Sequence, residues 1–266
     1  EEADEPLVIR PAAYMDVADL GDVIYLVLAP AEFHETLQPL LDHRTGQGLV
    51  TAVATPQAVY DTFGQGRPSP EAIQAMVRDL PALRYVLLVG DGTVEMGGYD
   101  GEAGDALVVV PLARTSVLGE TPADGLLGTD AHGNFVVAVG RFPAGSVVDV
   151  QAMVEKTLAW EDEAAGADVI VLNDDEGEFR STADTIAGIL GPEIDVQRFD
   201  AGDELCRPAV LQALGQGGVW LNYTGHGSLT ILGDEGVLTW EDGPAWREPA
   251  MVVSWTCLAA HFAHPQ

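Results

Sequence analysis

The chain has 266 residues, of which 47% are hydrophobic and 20% charged. That supplies core for one large domain or two small ones and excludes the disordered and collagen classes. Lys+Arg number 12 against 42 Asp+Glu, a net charge of −30. A field of that sign repels phosphate backbones and anionic lipid, so no nucleic-acid partner is expected. No apolar run reaches the ~18 residues that a membrane span needs. The opening Glu1-Glu2-Ala3-Asp4-Glu5 is acidic, so a secretory signal is expected to be removed or never present.

Asp22–Ala29 is a continuous apolar run ending at Pro30, which predicts a buried parallel strand. Phe33, Leu37, Leu40 and Leu41 follow at helical spacing, and Pro39 among them predicts a kink or an early end. Leu49–Ala54 reads as a strand. Ser69-Pro70-Glu71 is a helix start, with a capping hydroxyl, a first-turn proline and an acid at the positive end of the dipole. Ile73, Met76, Val77 and Leu80 form its buried stripe, and Arg84–Gly90 is the next strand. Residues 91–134 are rich in Gly and Asp, with a short strand expected at Ala106–Pro111. The acids there, Asp91, Glu95, Asp100, Glu102, Asp105, Asp124 and Asp130, lack 12-residue calcium-loop spacing and read as solvated loop acids. A structural Ca²⁺ stays open as an alternative. Phe135–Val139 reads as a strand, and Ser146–Asp149 as a capping box before a helix carrying Val150, Met153, Val154 and Leu158.

Past Trp160–Gly166 a second cycle begins, dividing the chain into residues 1–163 and 164–266. Ala167–Leu172 is a strand running into Asn173-Asp174-Asp175. Ser181–Asp184 caps a helix with Ile186, Ile189 and Leu190; Val196–Phe199 is a strand; Pro208 opens a helix closed by Gly215. Gly218–Thr224 and Ala250–Thr256 are strands that end in Gly225-His226-Gly227 and Cys257. Strands alternating with helices predict an α/β fold with two mainly parallel sheets, each flanked by helices.

Open parallel sheets bind ligands at the carboxyl ends of their strands. Asp175, His226 and Cys257 all fall at such ends. An imidazole beside a thiol can form the thiolate and later protonate a leaving amine. Glycines on both sides of His226 clear space for a peptide and free the Gly227 N–H for an oxyanion. Each residue also has a plain structural reading, Cys257 as a small buried hydrophobe and His226 as a turn residue. Cys206 precedes a helix with no comparable histidine and reads as structural; no disulfide framework or zinc spacing is present. His261 and His264, spaced His-x-x-His, lack a third ligand and read as local packing.

Asn222-Tyr-Thr-Gly-His-Gly-Ser228, followed by Val253-Ser-Trp-Thr-Cys257, resembles the catalytic segments of the gingipain-like cysteine peptidases, family C25 of clan CD. Arg84–Asp91, Val139-Gly-Arg-Phe-Pro143 and Asp234–Thr239 are similar to that family as well. The resemblance implies two consecutive caspase-like subdomains with the active site on the second. It implies a cysteine endopeptidase acting on polypeptides, with His226 and Cys257 as dyad and the Gly227 and Cys257 amides as oxyanion donors. The acid that orients the histidine falls on Asp175, with Asp174 or Glu176 its neighbours in register; the family type is Glu. Glu178, Phe179 and Trp255 are the implied substrate contacts. Phe179 stands where the best-known members carry the acid that pairs with substrate Arg or Lys, and Phe135-Val136-Val137 stands where many carry another acid. The chemistry requires no cofactor. The family's sheet continues past the nucleophile, so a C-terminal remainder or a processed second chain is the expected partner, in an extracellular or cell-surface setting. A processing transpeptidase and an inactive Ca²⁺-binding surface module are the alternatives.

Overall fold

The structure, a computed structural model, describes residues 20–92, 107–116, 119–163, 168–216, 219–246, 250–259 and 262–263. The chain divides into two compact units. One runs to Val154 and takes in Phe262; the other is Glu155–His261, so the division falls inside a helix. No described helix is long and apolar enough to cross a membrane.

The first unit holds strands β1 (Tyr25–Leu28), β2 (Thr51–Ala54) and β3 (Tyr85–Val89), the hairpin β4 (Leu112–Thr115) and β5 (Gly119–Pro122), and β6 (Ala138–Phe142). Its parallel sheet runs β2-β1-β3-β6. Helices α1 (His34–Gly46), α2 (Pro56–Phe63) and α3 (Pro70–Asp79) cover it, and α4 (Val147–Glu163) follows. Leu26 and Leu28 of β1 and Val86 and Leu88 of β3 pack with Val59, Ile73 and Met76 of α2 and α3. Each such side chain contributes about 1.5–3 kcal/mol when buried. Ser69 caps α3 by accepting from the Ala72 N–H at 3.3 Å, and Ser146 Oγ accepts from the Asp149 N–H at the head of α4.

Four details differ from the sequence expectation. Helix α1 runs through Pro39 to Gly46, because Pro39 and Glu35, whose carbonyl loses its partner, lie on the exposed side. Helix α2 starts at an unassigned Thr55-Pro56 cap, with Thr55 Oγ1 accepting from the Ala58 N–H. Residues 107–110 are not a strand, although Val108, Val109 and Val110 are deeply buried. The Val109 N–H goes to Tyr60 Oη, and the Val108 and Val109 carbonyls accept from Arg141. Side chains thus satisfy backbone groups that a ladder would otherwise pair. The last strand of the sheet lies at 138–142 rather than 135–139, leaving Phe135 73% exposed.

Arg141 holds this region together. Its side chain is 3% exposed, pairs through two nitrogens with Asp124, and also donates to the Gly90 carbonyl. Asp124 is thereby spent. Asp130 closes its own turn by accepting from the His132 and Asn134 N–H groups and from Asn134 Nδ2, and Asp91 accepts from the Gly92 N–H. Glu95, Asp100, Glu102 and Asp105 lie outside the described residues, as do His261 and His264.

The second unit holds β7 (Asp168–Asn173), β8 (Val196–Asp200), β9 (Val219–Thr224), a small hairpin β10 (Ile231–Leu232) and β11 (Leu238–Thr239), and β12 (Ala250–Trp255). Its parallel sheet runs β12-β9-β7-β8. Cys206, Val210 and Leu214 of α6 (Cys206–Leu214) pack on Ile170, Leu172, Leu221 and Tyr223, while α5 (Gly177–Leu190) lies along β7. Helix α5 begins a full turn before Ser181, so Ser181 is inside it and accepts from Thr185 Oγ1. The early start places Glu176 at the N-cap position, immediately off the end of β7. In register, Asn173 pairs with Thr224 and Thr224 with Trp255, so β7, β9 and β12 end side by side.

Candidate active site

Three chain segments leave that common rim: Asp174–Glu176 after β7, Gly225–Gly227 after β9 and Thr256-Cys257 after β12. Two glycines allow their close approach. A Cβ on Gly227 would stand 2.3 Å from Thr256 Oγ1 and 3.1 Å from the Cys257 carbonyl oxygen. A Cβ on Gly225 would stand 2.5 Å from Asp174 Cβ and 2.3 Å from Tyr223 Oη. Cys257 is exposed and unbridged. Leu258 after it takes φ +58, an uncommon conformation for a bulky residue, in a tight turn where the Ala259 N–H donates to the Cys257 carbonyl. Among the described residues neither the Gly227 nor the Cys257 N–H has an acceptor.

The ring of His226 is set by two side chains. Nε2 lies 3.1 Å from Glu176 Oε1, and Phe179 meets the ring edge-on, at 5.2 Å between centroids and 86° between planes. With Nε2–H donating to Glu176, the Nδ1 lone pair is left for chemistry. The acid against the ring is therefore Glu176 and not Asp175. Asp175 lies toward the turn after β8 instead, where a Cβ on Gly202 would stand 3.3 Å from its Cβ. Off a strand end the side chains alternate outward, and Glu176 has the extra methylene that reaches the imidazole. Three consecutive acids at a strand end were the signal; which one turned toward the ring depended on where α5 starts.

Desolvation pulls the His226 pKa down, but the negative charges of Asp234, Glu176 and Asp174 outweigh it and hold the pKa above the ordinary imidazole value. Cys206 is the opposite kind of thiol. Burial, with Asp203 and Asp200 nearby, pushes its pKa up to about 11, which keeps it protonated and inert.

Of the implied substrate contacts, Glu178 is exposed on the first turn of α5 and Phe179 is half-buried. Trp255 is 63% exposed, with its indole N–H donating to Asn222 Oδ1 at 3.2 Å. Two groups bring possible ligand atoms within 4.8 Å of one another, Asp174 with Glu176 and His226, and Asp174 with Asp175 and Glu235. Exposed acids commonly lie this close without an ion, and we assign no metal to either group.

No curated protein sequence matches the chain. The fold matches the crystal structure of gingipain R (RgpB), an Arg-specific cysteine proteinase, with a TM-score of 0.70 at 17% identity. That match covers 95% of this chain and 59% of the other. A complex of pro- and mature domains of RgpB from Porphyromonas gingivalis matches at TM-score 0.59 and 20% identity, covering 79% and 49%. A structure described only as a protease matches at 0.68 and 18%, covering 96% and 56%. This chain thus spans about half to three-fifths of the solved structures it resembles. The profile of peptidase family C25 matches residues 18–266, nearly the whole chain, which makes this protein a member of that family.

Proposed function

We propose that this chain carries the catalytic centre of a cysteine endopeptidase. The observation that supports this most is the seating of Gly227 against Thr256-Cys257, with the Gly227 and Cys257 N–H groups both unspent beside an exposed thiol. In this reading Cys257 gives its proton to Nδ1 of His226, and Sγ attacks the scissile carbonyl. The Gly227 and Cys257 N–H groups hold the developing oxyanion. The imidazolium then protonates the leaving amine, leaving a thioester on Cys257. Water, deprotonated by the same ring, hydrolyses the thioester and restores the thiol. Glu176 keeps the ring in the Nε2–H tautomer and stabilises its charge when Nδ1 takes the proton.

The substrate is a polypeptide, and no metal or organic cofactor enters these steps. Phe179, on the ring edge, brings no charge to pair with a basic side chain, so we propose that cleavage does not require Arg or Lys. An extracellular or cell-surface setting, and a further segment completing the catalytic unit, belong to the same reading.

A peptidyl electrophile with a neutral side chain should label Cys257 alone, and Cys257→Ala should lose both labelling and proteolysis. Proteolysis undiminished in Cys257→Ala would refute the assignment.

A further inference from the structure

Asp174 is fully buried, and its carboxylate hydrogen-bonds the main chain of His226 while lying within 4.8 Å of the ring as well. Oδ2 accepts from the His226 N–H at 2.9 Å, and Oδ1 accepts from the Asp175 N–H at 3.2 Å. The other side of His226 is held as firmly. Its carbonyl accepts from Tyr223 Oη at 2.6 Å and from the Gly233 N–H at 2.9 Å. Tyr223 is itself fully buried, and burial, with the Asp174 charge beside it, keeps its hydroxyl protonated and so a donor. The Asp174 N–H in turn donates to the Thr224 carbonyl, and Asn173 Nδ2 donates to the Asp174 carbonyl. Both ends of the His226 residue are thus anchored by Asp174, Tyr223 and Gly233, which are all buried.

We infer that Asp174 is a positioning residue that fixes the backbone of His226, while Glu176 fixes its ring. This rests on the peptidase reading above. An aspartate is needed for the task because a carboxylate accepts through both oxygens and offers no donor. An asparagine keeps one acceptor and turns an N–H₂ toward the other backbone N–H, leaving a buried donor unpaired. Glycine at 225 belongs to the same device, because a side chain there would push directly on Asp174 and Tyr223.

The test compares Asp174→Asn, Gly225→Ala and Tyr223→Phe with the unaltered protein. Misplacing a reacting group by about 1 Å costs ~10²-fold in rate, so kcat should fall by about 10- to 100-fold in Asp174→Asn and Gly225→Ala. KM should stay within about threefold, since the anchor does not touch substrate. Tyr223→Phe, which removes one hydroxyl and keeps the buried ring, should fall less and in the same direction. The ¹⁵N shifts of the His226 ring supply a readout that needs no turnover: the Nε2–H pattern should be clear in the unaltered protein and averaged in Asp174→Asn. Folded variants with kcat within about twofold of the unaltered protein and an undisturbed ring pattern would overturn the inference. If Asp174→Asn fails to fold, the other two variants decide in the same way. A disturbed ring pattern in a protein whose Cys257 resists every peptidyl electrophile would sink the peptidase reading and leave the positioning role standing.

Discussion

The imidazole of His226 carries the shift that matters most, and its sign can be worked through. In the proposed mechanism His226 must be neutral at Nδ1 to accept the thiol proton, so activity should fall as pH drops through the His226 pKa. Carboxylates around the ring raise that pKa despite desolvation. Glu176→Gln removes one of these charges, so the acid limb of the kcat/KM profile should move to lower pH. The same substitution weakens the preference for the Nε2–H tautomer, and kcat should fall by ~10²-fold, the lower end of what general acid–base catalysis contributes. An unmoved acid limb would show that Glu176 does not govern the ring. For stability the sign is reversed. A raised folded-state pKa favours the protonated fold, and this increment is complete below the unfolded imidazole value. It disappears as pH rises through the folded one.

At the scale of elements, strand positions and the polar residues at their ends were legible from apolar runs bounded by Gly and Pro. What could not be read was decided by tertiary contacts. Ser181 is a sound cap by composition, yet α5 starts a turn earlier because the chain leaves β7 already turning, and that start places Glu176 against His226. Residues 107–110 have the pattern of a strand, but a tyrosine hydroxyl and a guanidinium from elsewhere take their backbone groups. The spacing of Arg141 carried no hint that it would be nearly sealed in. Asp174, one of three acids in a row, gave no sign that it would bind backbone. These placements define a second measurement. Arg141→Met removes the partner of a nearly buried Asp124 and the donor to three carbonyls. Breaking such a pair costs about 3–5 kcal/mol, read as a lower denaturant midpoint. A loss under about 1 kcal/mol would mean that the guanidinium is not what holds that segment.

For the whole molecule the decisive quantity is the net charge of −30. Self-repulsion on that scale opposes compaction and is relieved by counterions. Raising salt from ~0.01 M to ~1 M shortens the screening length from ~30 Å to ~3 Å, and Tm should rise across that range. A flat Tm would show that the uncompensated carboxylates stand too far apart for their repulsion to weigh on the fold. The field also draws cationic peptides inward at a rate that salt suppresses. Their cleavage should therefore slow in kcat/KM with added NaCl, while that of neutral peptides holds steady.

The sulfur of Cys206, turned into the core from the first residue of α6 and held protonated, gives the molecule an internal clock. A chromogenic disulfide at mild alkalinity should count one equivalent in the native protein. The second should arrive only as fast as that interior opens, so a stopwatch and a colour change suffice to time the breathing of the second unit.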